Sequence, residues 1–153
     1  MKSNIKKLIG LFFMITVISA TLVRAQELDE TGKLKGKWDF ITKCGKCHSL
    51  ERPLTRIKTA EQWEVTVKAM HGKAHGWIED KQVKEIIWFL TSKSIYETKC
   101  TGCHSEYRAL DLIKNKEEWT KTVKTMQQKP NSNISDEDAD RIIIYLFTIQ
   151  GGE

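Results

Sequence analysis

TAEQWEVTVKAM (residues 59–70) and NKEEWTKTVKTM (residues 115–126) carry one pattern, 56 positions apart. Each opens on a capping residue, Thr59 or Asn115, with Gln62 or Glu118 three positions later, the spacing of a capping box at a helix start. Trp63, Val67 and Met70 then follow at i, i+4 and i+7, as do Trp119, Val123 and Met126, so each trio shares one helical face. The pattern predicts a helix, and predicts it twice.

Outward from these stretches the same 56-residue shift superimposes the chain on itself without a gap. Cys44, Cys47, His48 and Arg52 fall on Cys100, Cys103, His104 and Arg108. Ile78, Ile86, Ile87 and Leu90 fall on Ile134, Ile142, Ile143 and Leu146. Upstream of each cysteine pair a first helix is expected, with Phe40 or Tyr96 one turn before Cys44 or Cys100. A third helix is expected to open near Asp80 and at Ser135, where Asp138 occupies N3 and Ile134 and Ala139 are spaced as a hydrophobic staple. No strand pattern is evident. The expected fold is therefore all-α, two tandem lobes of about three helices each, over residues 26–92 and 93–153. Only Thr91 to Ser94 separates them, so the lobes are expected to dock, with room for one helix to run through the junction. Lobes of about 55 residues bury little surface alone, a shortage that a large apolar cofactor would relieve.

The first 25 residues have the anatomy of a secretory signal: Lys2, Lys6 and Lys7, an apolar run from Leu8 to Ala20, then Val23-Arg24-Ala25 as a cleavage site. The expectation is an exported, periplasmic protein cut after Ala25, the alternative being an N-terminal membrane anchor; the run is short for a spanning helix. Removing its four cations takes the formal net charge from +5 to +1. Without a persistent basic face, nucleic acid is not an expected partner. The following QELDETGKLKGK (residues 26–37) is charged and expected to be mobile.

All four cysteines lie in CGKCH (44–48) and CTGCH (100–104). A disulfide within C-x-x-C would close too small a loop to staple a fold. Zinc would need four ligands, and ribbon sites usually space their cysteine pairs about 15–20 residues apart rather than 56. A redox dithiol needs a βαβ setting. Covalent haem accounts for every residue: Cys44, Cys47, Cys100 and Cys103 as thioether anchors, and His48 and His104 as proximal iron ligands.

On these motifs the chain resembles a dihaem member of the class I cytochrome c superfamily. RIKTAEQWEVTVKAM (56–70) and KNKEEWTKTVKTM (114–126) are similar to the haem-binding domain of the quinohemoprotein amine dehydrogenase alpha subunit, where a Trp–Val–Met helix also follows CxxCH. The resemblance spans about residues 36–150. It implies an electron-carrier module with two covalently attached haem c groups, not amine oxidation.

Met70 and Met126, each 22 residues after its histidine, are the expected distal ligands. A methionine on a Trp–Val face is also an ordinary core residue. In the first unit His71 and His75 of HGKAHGW are alternative ligands; a Met/His pair would raise the reduction potential relative to bis-His. Arg52 and Arg108 are candidates for pairing haem propionates, and the tryptophans are expected to wall the pockets. The expected function is a periplasmic dihaem cytochrome, not an enzyme, passing single electrons between donor and acceptor redox proteins, with no membrane span in the mature chain. A gas-binding or sensing haem protein is the alternative.

Overall fold

In the computed structural model, residues 28–105 and 107–152 are described, and among them all regular structure is helical. The signal-peptide expectation lies outside these residues. Helix α1 (Glu30–Asp39) continues as one π-helical turn, Phe40–Cys44, into the first CxxCH motif. Two single-turn helices follow the motifs, α2 (Glu51–Leu54) and α5 (Tyr107–Leu110). The capped helices are α3 (Ala60–Lys73) and α6 (Lys116–Gln127); the longest are α4 (Asp80–Cys100) and α7 (Asp136–Ile149). Among the described residues no helix is long and apolar enough to cross a membrane.

The helix starts form as their residues dictate. Thr59, Asn115 and Ser135 each accept the N3 backbone N–H, while Gln62, Glu118 and Asp138 return a bond to the cap's own N–H. Glu79 and Gln82 build a fourth such box. By contrast with the expectation of a mobile stretch, residues 30–37 are helical. Asp29 accepts from Gly32 N at 2.7 Å and starts α1, and Gly32 and Gly36 are buried. The charge of this stretch concealed a helix held by a cap and a tight crossing. A Cβ on Gly36 would lie 2.4 Å from the Glu85 carbonyl, so α1 and α4 approach closely only because position 36 has no side chain.

Helix α4 runs unbroken through residues 91–94 and packs on α1, α3 and α7; α7 also packs on α6 and α1. Thr91, Ser92, Lys93 and Ser94 are all buried, Lys93 paired with Glu97 one turn on. One core cluster therefore spans residues from both sides of the junction, from Phe40 to Leu146. At its centre four rings form a row: Phe40–Phe89 at 5.6 Å, Phe89–Tyr145 at 5.7 Å and Tyr145–Tyr96 at 5.5 Å between centroids. Phe40 and Tyr96 are repeat equivalents, as are Phe89 and Tyr145.

The α1–α4 crossing also buries Glu85, 2% exposed. Its Oε1 has no hydrogen-bond partner, and Lys81 Nζ stands 3.8 Å away. Burial, then the neighbouring Asp39 carboxyl, pushes its pKa to about 7 against the opposing pull of Lys81 and Lys35. An acid whose folded pKa is raised holds its proton better folded than unfolded. Stability is therefore full below the unfolded value near 4.5 and falls as pH rises to about 7. Glu85→Gln should flatten that decline, an effect on the order of 1–3 kcal/mol in denaturation curves between pH 5 and 8. An unchanged pH profile would show that Glu85 ionises freely.

Candidate functional site

A cavity of about 470 Å³ opens where the end of α1, α2, α3 and the start of the core meet, a size usual for small-molecule and cofactor sites. Cys44, His48 and Met70, residues far apart in sequence, line it together. Trp63, Val67 and Leu90 form its apolar wall. Arg52, Arg56, Lys58 and Lys73 give its rim four cationic groups, with no acid among the lining residues. Such a cavity suits an apolar body bearing anionic groups.

Trp63 of the wall and Lys58 of the rim are fixed by bonds that recur 56 positions on. Trp63 Nε1 donates to Ser94 Oγ at 2.9 Å, and Trp119 Nε1 to Gln150 Oε1 at 2.9 Å. The same acceptors take the backbone N–H of Lys58 (3.3 Å) and Lys114 (3.2 Å). Lys58 Nζ donates to Thr66 Oγ1 and Lys114 Nζ to Thr122 Oγ1, both at 2.7 Å. Lys58, half-buried, also lies 5.1 Å from the centre of the Trp63 ring.

His48 Nδ1 lies 3.0 Å from the Ser49 carbonyl, and His104 Nδ1 lies 3.1 Å from that of Ser105. A carbonyl only accepts, so Nδ1 is the donor, and in the neutral ring the lone pair is left on Nε2. That tautomer is the one an Nε2 iron ligand requires, with the carbonyl as the outer partner that orients the ring.

The four cysteines are free thiols, Cys47 and Cys103 exposed, Cys44 and Cys100 half-buried. Burial and then the neighbouring thiol push Cys44 up to about 11, and Cys100 likewise up to about 11. A redox dithiol needs the reverse, a depressed pKa that supplies thiolate. Nor do the two cysteine pairs converge: among the described residues no three His, Cys, Asp or Glu side chains group to hold a bare metal ion. Haem iron takes its four equatorial ligands from the porphyrin and asks the chain for two axial ones, so that finding bears on zinc and is neutral for haem.

Comparison of the chain with protein-family models, curated proteins and solved structures returns no match. Function has to be read from the site itself.

Met70 and Met126 are not core residues. They are 37% and 39% exposed, while Trp63 and Trp119 are 1% exposed on the same helical faces. Each Trp–Val–Met stripe thus descends from core to open surface. His71 points elsewhere: its Nε2 lies 3.7 Å from Asp80 Oδ1, and it lines a separate groove with Trp88. His75 is exposed at φ 46°, in the left-handed region, where the second unit has Asn131 at φ 65°. The matching conformations give residue 75 a turn-forming place.

The tryptophans divide more sharply than expected. Trp63 walls the cavity and Trp119 holds the equivalent buried place. Trp38 and Trp77 are exposed, Trp77 under Lys46 at 3.5 Å and Lys43 at 4.5 Å. Sequence reasoning identified Arg52 but missed Arg56, Lys58, Lys73 and Ser94. The exact repeat of Lys58 and Thr66 at Lys114 and Thr122 was the signal that could have found the first of these bonds.

Proposed function

We propose that this protein is an exported dihaem c-type cytochrome that carries single electrons between redox partner proteins. The observation that carries the reading is the convergence of Cys44, His48 and Met70 on one apolar cavity with a cationic rim. Haem bound there supplies a one-electron ferric/ferrous couple. Cys44 and Cys47 would anchor it, His48 and Met70 would ligate its iron, and Arg52, Arg56, Lys58 and Lys73 would meet its propionates. Cys100, Cys103, His104 and Met126 are the equivalent set of the second lobe. The chain's own contribution is to orient His48 through Ser49, exclude water with Trp63 and Val67, and balance the propionate charge.

The test is haem stoichiometry on protein secreted by a host with haem-attachment machinery. The expected result is two covalent haems per chain by intact mass and haemochrome spectrum, and one in Cys44→Ser/Cys47→Ser. A chain without haem, or with a bound zinc ion, overturns the proposal. A gas-binding role is the alternative reading of the same site. Stoichiometric carbon monoxide binding to the reduced protein would support that role; an unchanged spectrum would support the carrier.

A further inference from the structure

The 56-residue shift makes Trp38, Ser94 and Gln150 equivalent. Ser94 receives the indole N–H of Trp63 from α3, and Gln150 that of Trp119 from α6. Among the described residues no such helix meets Trp38; no tryptophan precedes it in the chain, and it is 51% exposed. Ile41, one turn on, is also exposed, where the second unit has Glu97. The outermost unit of a tandem array is normally finished with polar residues. This one carries an apolar face instead.

Charge lies next to it. The Gly45 N–H closes on the Ile41 carbonyl at 3.3 Å, which places Lys46 one turn beyond Ile41. Lys46 Nζ and Lys43 Nζ stand 3.5 and 4.5 Å from the centre of the exposed Trp77 ring, and Lys43 donates to the Trp77 carbonyl at 3.2 Å. Neither lysine has an ion-pair partner among the described residues, and the acids nearest in sequence are engaged elsewhere. Asp39 accepts from Gln82, Glu79 caps α4, and Asp80 stands beside His71. The second unit lacks the set: Gly102 and Asn133 replace Lys46 and Trp77, and Lys99, the equivalent of Lys43, lies 3.5 Å from Asp138.

We infer that Trp38, Ile41, Lys43, Lys46 and Trp77 are a docking surface for an acidic redox protein, present on the first unit alone. The partner's redox chemistry rests on the dihaem reading above; its acidity rests on the unpaired lysines. A second copy of this chain in a symmetric contact would set lysine against lysine. An anionic membrane would need bare rings to enter its apolar layer, yet Lys46 covers Trp77 and Lys37 stands 5.4 Å from the centre of the Trp38 ring. Carboxylates on a protein would meet the ammonium groups, while Trp38 and Ile41 supply the apolar centre of the contact.

The test pairs the holoprotein with a strongly acidic flavodoxin as model donor. One electron leaves the flavin hydroquinone anion, which becomes the neutral semiquinone, and reduces a ferric haem to ferrous; no proton moves. In stopped-flow at low salt, Lys43→Glu with Lys46→Glu should slow this step about tenfold, and 0.2 M salt should slow the wild type by a similar factor. The same charge change on α4 and α6, Lys84→Glu with Lys121→Glu, should slow it about twofold or less. Trp38→Ser with Trp77→Asn installs the second unit's own residues and changes no charge, so its slowing, about threefold, reads docking apart from haem potential. In the reduced holoprotein, oxidised flavodoxin should shift the indole N–H resonances of Trp38 and Trp77 and leave those of Trp63 and Trp119. Equal slowing by the two lysine pairs, or unmoved Trp38 and Trp77 resonances, overturns the docking surface and leaves the haems in place. Tighter binding to phosphatidylglycerol vesicles than to flavodoxin overturns it too, making the face a membrane contact. A preparation without haem overturns the underlying reading instead.

Discussion

In the dihaem cytochrome proposed above, Met70→Ala should abolish the methionine–iron charge-transfer band of one haem and lower its potential by on the order of 0.1–0.3 V, a fraction of the roughly 0.8 V that axial ligation spans. Thioether ligation favours ferrous iron, and alanine leaves that position to water or to a stronger donor. The competing histidines are placed to be silent. His71 is turned to Asp80, and His75 sits at a left-handed turn, so His71→Ala and His75→Ala should leave both spectra unchanged. Loss of a ligand signal in His71→Ala with none in Met70→Ala would reverse the assignment. Met126→Ala should reproduce the Met70 result at the other haem, because the two methionines share a register and nearly the same exposure. Two such changes of equal size would make the haems near twins rather than a gradient.

Trp63→Ala should cost about 3–5 kcal/mol, the range for removing a large buried aromatic, and bring the protein close to unfolding. Trp63 is 1% exposed, its indole N–H is bonded to Ser94, and its ring forms the cavity wall. The replacement therefore empties core volume and leaves Lys58 without its aromatic neighbour. Trp63→Phe keeps most of the volume and isolates the lost hydrogen bond, about 1 kcal/mol. Denaturant unfolding should show one transition in every variant, since a single core runs through α4. Two separate transitions would mean that the halves fold independently.

What could be read from the chain depended on whether the deciding partner was local. Capping boxes lie within four residues, so Thr59, Asn115 and Ser135 announced their helices. CxxCH is equally local, and in both copies the histidine Nδ1 lies beside the carbonyl of the next residue. Long-range partners were illegible where the two copies use different residues for one task. Ser94 and Gln150 receive the two tryptophan N–H groups, yet a hydroxyl and an amide share no sequence signal. The first turns of α1 were hidden for a related reason. Its buried face includes Gly32 and Gly36, and a face made partly of glycine carries little hydrophobic periodicity. The junction Thr91–Ser94 is polar by composition and buried in fact: Ser92 Oγ donates to the Trp88 carbonyl at 2.8 Å, Ser94 Oγ accepts from Trp63, and Lys93 pairs with Glu97, while the buried Thr91 Oγ1 has no partner.

The double duty of α4 reaches beyond this chain. Under the 56-residue shift its first part corresponds to α7 and its later part to α1 with the turn that follows. The end of one link is thus already the beginning of the next, with no connector to design. Copying residues 93–148 once more after Thr148 would continue α7 into another cysteine-bearing helix in the same phase. The architecture is open-ended in principle, its length set by how many times one segment is spliced in.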